Sequence, residues 1–325
     1  MAESNLDILV PARRIPVSSL ASDELRRKTI DAAKIESYPG GVIPSTNEEW
    51  RQWILARGYD DLRIDELLAT FNLDMTSRTI AGVPCFEIVP RDLTDARRDQ
   101  LYLNMHGGGF VVHAGKAGTD EAVLMAGLTR TPVLEIDYRM PPDHPFPASI
   151  DDGFAVWSEL AALRSPRGMA MFGTSAGGNM VLAVIQRALR EGIPLPAAIC
   201  VNSPWSDLSC TGDSYFIMDG IDPTTFETLE PMARVYAGDL ELTNPLVSPV
   251  YGDYENFPPA VLISGTRDVF LSNTVRVDRK LRESGIETRL IVMEGHAHAD
   301  TANPAFPEVR YVFGEIQRFF ERYVK

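Results

Sequence analysis

Met171-Phe172-Gly173-Thr174-Ser175-Ala176-Gly177-Gly178-Asn179 is the stretch around which the chain is organised. The apolar run Met169-Ala170-Met171-Phe172 leads into it and reads as the end of a buried strand. Met180-Val181-Leu182-Ala183-Val184-Ile185 leads out of it, and the sequence on to Leu189 is apolar and rich in helix formers. G-x-S-x-G between a strand and a helix is the setting of a nucleophile elbow, whose serine stands clear of the sheet with a helix N-terminus behind it. So sharp a turn strains the serine backbone, and glycines two residues to either side let strand and helix approach. Alone, the pattern also fits a glycine-rich turn with a serine N-cap. The chain on both sides separates the two readings.

Outward from the turn, strand and helix signals alternate. Short β-type runs occupy 101–105, 132–136, 169–172, 198–201, 260–263 and 289–292. Helical periodicity fills 151–163, 176–189 and 273–282, and the last strand is followed by a helix over 308–323. Such alternation implies a mostly parallel sheet covered on both faces. Ahead of it, 78–89 reads as a hairpin turning at Gly82. Residues up to about 75 read as polar helices. Ser22-Asp23-Glu24-Leu25 and Ser45-Thr46-Asn47-Glu48-Glu49-Trp50 serve as N-caps, Pro39-Gly40-Gly41 as a break, and Trp50, Trp53 and Ile54 as an apolar stripe. Between 206 and 254 no strand is visible. The interval holds loop-like Ser209-Cys210-Thr211-Gly212-Asp213-Ser214 and one helix over 223–236. A connection that long inside a compact sheet reads as a functional insertion, often a lid.

Composition sets bounds. The 325 residues are 45 % apolar and 23 % charged, the globular norm, and suit one large α/β core with insertions. A net charge of −14 argues against nucleic acid or an anionic membrane as a partner. Cys85, Cys200 and Cys210 are odd in number and lack metal spacing, so buried thiols in a reduced compartment are expected. The acidic N-terminus has no apolar core of a secretory signal, and no run approaches the ~18 residues of a membrane span. A cytoplasmic protein is the expectation.

A second motif, His106-Gly107-Gly108-Gly109-Phe110, directly follows the 101–105 strand. Three glycines let consecutive N–H groups turn into an open site, where they can hold a developing oxyanion. A serine nucleophile also needs a base and an orienting acid, which in this arrangement follow it in the order acid, then histidine. Of His106, His113, His144, His296 and His298, only the last two lie downstream of Ser175, just after the final strand. The loop after the preceding strand, Ile263-Ser264-Gly265-Thr266-Arg267-Asp268, supplies the acid. Spacing alone leaves His296 and His298 both open.

These residues resemble the bacterial hormone-sensitive-lipase family of α/β-hydrolase esterases. The family's H-G-G-G is His106 to Gly109 here, and its G-T-S-A-G-G is Gly173 to Gly178. Its Y-R-L-A-P-E-x-P-F-P-A is matched, with conservative departures, by Tyr138-Arg139-Met140-Pro141-Pro142-Asp143-His144-Pro145-Phe146-Pro147-Ala148. Its S-P-W-x-D-L is Ser203-Pro204-Trp205-Ser206-Asp207-Leu208. Four motifs in order cover residues from about 100 to 300.

The resemblance implies an α/β-hydrolase fold, with a mostly parallel central sheet flanked by helices and a helical cap. It implies a carboxylesterase with Ser175 as nucleophile, Asp268 as acid and His298 as base, because the family's G-x-x-H fits Gly295-His296-Ala297-His298. The oxyanion hole falls to the N–H groups of Gly107, Gly108 and Ala176. The implied division is a cap part at 1–50, core at 51–205, a cap insertion at 206–254 and core again at 255–325. Thr174 stands where aspartate is commoner, which alters the elbow's polar surroundings. His106, Tyr138, Arg139 and Asp207 are expected to fix loops, while His113 and His144 are taken as solvent or structural histidines. No cofactor or metal is implied, and the expected partner is a small-molecule ester. Short acyl esters are favoured, with lactones or acetylated natural products using the same machinery as alternatives. A non-catalytic small-molecule receptor on the same fold is the rival from another class. Relatives in the family often dimerise, so a homodimer is allowed, but no interface can be read.

Overall fold

The computed structural model describes residues 12, 14–32, 43–57 and 61–325. The acidic N-terminal stretch 1–11 and the break at Pro39-Gly40-Gly41 lie outside the described residues. Three helices open the chain: α1 (Asp23–Ala32), α2 (Asn47–Arg57) and α3 (Asp61–Phe71). Both expected caps form. Ser22 Oγ accepts the Leu25 N–H at 3.2 Å. At α2, Thr46 Oγ1 accepts the Glu49 N–H at 3.2 Å while the Glu49 carboxylate takes the Thr46 N–H at 3.1 Å, a reciprocal capping box. Trp50 is buried, and Trp53 and Ile54 pack partly buried against the core.

The hairpin β1 (Leu73–Ile80) and β2 (Val83–Pro90) turns through Ala81 and Gly82, both at positive φ. It begins earlier than 78, because Leu73 and Ile88 add to the core and extend the pairing to Leu73↔Pro90. Then follow β3 (Leu101–Asn104), α4 (Asp120–Thr129), β4 (Val133–Ile136), α5 (Ala148–Leu163), β5 (Met169–Thr174), α6 (Ala176–Glu191) and β6 (Ala198–Asn202). After β6 come α7 (Asp213–Ile217), α8 (Phe226–Ala237), β7 (Ala260–Gly265), α9 (Leu271–Glu283), β8 (Thr288–Met293) and α10 (Glu308–Tyr323). The 206–254 interval holds no strand, but it carries two α-helices and a 3-10 turn at Pro249–Tyr251 where one helix was expected. The short α7 grows out of the loop-like stretch ending at Ser214.

The eight strands form one sheet in the order β1-β2-β4-β3-β5-β6-β7-β8. The β1/β2 and β2/β4 pairs are antiparallel, and every pair from β4 onward is parallel. Every residue of β3, β4, β5, β6 and β7 is buried, as a parallel sheet with helices on both faces requires. Alternate residues feed two cores. Leu101, Leu103, Met169, Met171, Ile199 and Val201 face α5, α6 and α9, and α8 of the insertion packs into that same core. Tyr102, Ala170, Phe172, Cys200, Val261 and Ile263 face α4 and α10. Helix α10 presents Val309, Val312, Phe313, Ile316, Phe319 and Phe320, a stripe at helical spacing. All three cysteines are free and buried. Among the described residues, no helix is long and apolar enough to cross a membrane.

The strand carboxyl ends line up across the middle of the sheet, with Thr174 opposite Asn202, Asn202 opposite Ile263, and Gly265 opposite Met293. Three connecting loops therefore converge on one crevice, the general location of sites in parallel α/β sheets. Close backbone packing lies beneath it. A Cβ on Gly177 would stand 1.9 Å from the Met105 carbonyl oxygen, and one on Gly173 would stand 2.5 Å from the same atom. Backbone cannot yield as a flexible side chain can. Gly177→Ala is expected to lower stability by at least about 2 kcal/mol, as overpacking does, read as an earlier midpoint in denaturant with unchanged slope.

Candidate active site

Ser175 joins β5 to α6 with φ 61° and ψ −121°, backbone angles that a non-glycine residue rarely holds. Its N–H donates to the Asn202 carbonyl at 2.9 Å, and its carbonyl accepts the Trp205 N–H at 3.0 Å. Neighbouring chain on both sides thus holds the strained turn. The Ser175 hydroxyl lies 2.9 Å from His298 Nε2. On the far side of the ring, His298 Nδ1 lies 2.7 Å from Ser203 Oγ and 3.4 Å from Asp268 Oδ1. The imidazole thus lies between the Ser175 hydroxyl on one side and the Ser203 hydroxyl and Asp268 carboxylate on the other.

The other expected residues fall around it. A Cβ on Gly107 would lie 3.4 Å from Ser175 Cβ, so the glycine loop passes directly over the serine. Gly108 has φ +114°, and a Cβ there would come within 2.5 Å of the Val112 carbonyl oxygen. Ala176 is the first residue of α6, so its N–H has no carbonyl one turn back within the helix. His296 is fully buried against Phe306 and away from the serine. Between the two histidines left open by spacing, the structure brings only His298 to Ser175.

Asp268 is 1 % exposed and held on both oxygens. The Ser264 hydroxyl donates to Oδ2 at 2.6 Å, and the Phe270 N–H donates to Oδ1 at 2.8 Å. Burial alone would raise its pKa, but His298 and the hydroxyls of Ser203 and Ser264 hold it below the ordinary aspartate value. Burial likewise disfavours the imidazolium of His298. The opposing pull of Asp268, with Asp222 and Asp300, outweighs it and moves His298 above the ordinary histidine value.

Behind the elbow lies a polar chain. Thr174 Oγ1 donates to Glu121 Oε1 at 2.6 Å and accepts from Asn202 Nδ2 at 2.9 Å, while Thr301 Oγ1 donates to Asn202 Oδ1 at 2.8 Å. Burial pushes the Glu121 carboxyl up to about 8, against the pull of Thr174. With threonine in place of the commoner aspartate, the elbow adds no carboxyl to Glu121 and its neighbour Asp120. The loop-fixing residues act as expected. Tyr138 Oη donates to the His106 carbonyl at 2.7 Å and its ring stacks on the imidazole, Arg139 pairs with Asp152, and Arg276 pairs with Asp207. Burial pulls His106 down to about 3, which keeps that ring neutral.

A cavity of about 460 Å³ opens at the serine. Val112, Trp205, Leu229, Met232 and Phe270 give it apolar walls, and Arg63, His113, Asp120 and Glu121 give it polar ones. His113, expected as a solvent or structural histidine, is exposed and borders the cavity. The sequence did not single out Ser203, Glu121 or Asp222 as site residues. Ser203 had a signal, since it directly follows a strand whose neighbours on both sides end in site residues. Glu121 and Asp222 have none, because only the fold brings a helix start and an insertion loop to this crevice. Among the described residues, no group of three His, Cys, Asp or Glu side chains is placed to hold a metal.

A serine on a strained strand–helix turn, with a histidine beside its hydroxyl and a carboxylate near the far side of the ring, agrees with the similarity of this chain to known proteins. The sequence profile of the α/β-hydrolase fold family matches residues 102–301. This chain belongs to that family. Within it, the α/β-hydrolase is of the bacterial hormone-sensitive-lipase type. A crystal structure of an esterase superposes with a TM-score of 0.92 at 38 % identity, covering 98 % of this chain and 99 % of that one. A crystal structure of an esterase from the bacterial hormone-sensitive-lipase family gives 0.79 at 27 % identity, covering 94 % and 99 %. An esterase of Acinetobacter venetianus is 26 % identical over 262 residues, 76 % of this α/β-hydrolase and 86 % of the relative.

Thr174→Val would keep the shape of this α/β-hydrolase's elbow but strand the Glu121 carboxyl and the Asn202 amide. The expected cost is about 1–3 kcal/mol of stability, measured by chemical denaturation.

Proposed function

We propose that this chain is a serine carboxylesterase acting on short acyl esters, with Ser175 as nucleophile, His298 as general base and Asp268 as orienting acid. The observation that carries the reading is the 2.9 Å approach of His298 Nε2 to the hydroxyl of a serine held at φ 61°. Asp268 and Ser203 on the Nδ1 side keep the ring proton there and leave the Nε2 lone pair facing the serine. As Ser175 Oγ attacks the ester carbonyl carbon, Nε2 takes its proton. The N–H groups of Gly107, Gly108 and Ala176 receive the negative charge that builds on the carbonyl oxygen. The imidazolium then protonates the departing alcohol, leaving an acyl group on Ser175. Water, deprotonated by the same nitrogen, releases the acid.

The 206–254 insertion acts as the cap together with the part before residue 50, and α2, which runs past that boundary to Arg57, belongs with it. Trp53 of α2 and Leu229 and Met232 of α8 line the cavity, which supports that assignment. A cavity of about 460 Å³ suits a small ester and not a triglyceride. Names among the relatives, esterase and acetyl-hydrolase, support the same substrate range.

The test is hydrolysis of p-nitrophenyl esters. Ser175→Ala and His298→Ala are expected to lose on the order of 10⁴-fold or more in kcat, whereas His296→Ala keeps at least about a tenth of the activity per folded molecule. C2–C6 esters should turn over faster than C12. A wild type that binds esters without cleaving them would instead make it a receptor.

The pH profile has a definite sign. Only neutral His298 can accept the serine proton, and its surroundings raise its pKa, so activity is lost as pH falls through that raised value. The acid limb of kcat/KM is expected above the ordinary histidine value of about 6.5, and a profile flat to pH 4 would refute the histidine base.

A further inference from the structure

The acid and the base sit on different loops, after β7 and after β8, and Asp222 binds the backbone of both. It lies in the insertion between α7 and α8 and is 3 % exposed. Its Oδ2 accepts the N–H of His298 at 2.8 Å and the N–H of Val269, next to Asp268, at 3.0 Å. Its Oδ1 accepts the N–H of Thr224 at 2.7 Å, and its own N–H donates to the Met218 carbonyl at 2.9 Å. One buried carboxylate thus joins three segments through charge-assisted bonds. Thr224 also lines the cavity, as do Leu229 and Met232 on the helix that follows. The segment that walls the substrate space is therefore the segment that holds the base.

We propose that Asp222 is a positioning residue for ester cleavage: its carboxylate clamps the backbone of His298 and Val269 to the insertion, so base and acid align when the insertion is seated over the cavity. The inference rests on the Ser175, His298 and Asp268 reading above. Two geometric facts support it beyond the bond lengths. Both clamped amides accept no compromise in direction, since each belongs to or adjoins a residue whose side chain must reach a partner within hydrogen-bond range. The carboxylate is also too deeply buried to serve as a surface anion.

Asp222 bears on His298 electrostatically as well. The charged groups facing His298 are Asp268 from the β7 loop, Asp222 from the insertion and Asp300 from its own loop, the last paired with Lys28 at 2.8 Å. Removing one anion of this set makes the imidazolium less favourable, so the acid limb moves to lower pH.

The experiment compares Asp222→Asn and Asp222→Glu with wild type on p-nitrophenyl butyrate across pH. Ser175→Ala serves as the inactive baseline, and Val312→Ala, in the remote α10 core, as a control for stability alone. Asparagine keeps the shape but turns an NH₂ towards an N–H. Its kcat is expected to fall by about 10- to 100-fold, with KM within about threefold and the acid limb displaced to lower pH. Phosphorylation of Ser175 by diethyl p-nitrophenyl phosphate should slow in parallel. Glutamate keeps the charge, and with it the limb, but misplaces both amides, so its kcat falls too. Wild-type kcat and limb in Asp222→Asn would overturn the proposal, as would a change confined to KM or a loss no larger than that of Val312→Ala. If Asp222→Asn does not fold, Asp222→Glu decides, and wild-type kcat there overturns the clamp. Should Ser175→Ala stay active, the nucleophile assignment itself fails. An inactive Ser175→Ala beside wild-type-like Asp222 variants sinks the clamp alone.

Discussion

The site depends on how closely the chain around Met105 and His106 passes the turn from β5 into α6. Two glycines of that turn face the same carbonyl oxygen, and neither leaves room for a Cβ. This contact sets the angle at which α6 leaves the sheet, and hence the positive φ of Ser175. It also brings the glycine loop over the serine, because Gly107 follows His106 directly. Nucleophile and oxyanion donors are thus placed by one backbone–backbone contact, whose precision no flexible side chain could match.

Around that contact, several buried polar groups are paired, since an unpaired one costs about 1–3 kcal/mol in desolvation, while His106 Nε2 and the Asn104 amide find no hydrogen-bond partner among the described residues. Thr174 joins Glu121 to Asn202, Tyr138 holds the His106 carbonyl, and Asp268 takes donors on both oxygens. The same principle accounts for the opposite shifts at the site. Glu121 has a hydroxyl but no cation beside it, so burial dominates and its carboxyl rises. Asp268 has an imidazole and two hydroxyls, so its charged form wins although it is buried at least as deeply. A carboxyl's role here follows from its partners, not its depth.

The insertion is the element that periodicity described least well. Its α7 is a helix of only five residues, too short to leave an apolar repeat. Its hold on the core comes from single contacts. Tyr236 stacks on Phe110 of the glycine loop with ring centroids 3.8 Å apart, and Asp222 reaches the two loops beyond β7 and β8. Such contacts join residues more than 40 positions apart and carry no local pattern.

By itself the sequence determined the parallel sheet, the elbow, the glycine loop and the ordered positions of Ser175, Asp268 and His298. These rest on properties local to the chain: strand and helix periods, and turns that only glycine can make. Spacing left His296 and His298 both open, the resemblance pointed to His298, and the tertiary structure brings that one to the serine. His296 and His298 are two residues apart in one loop, and only packing sends the first into the core beside Phe306 and the second onto Ser175. Tertiary structure alone joined Ser203, Glu121 and Asp222 to the site, because a hydrogen bond is satisfied by distance and direction in space, and separation along the chain does not enter.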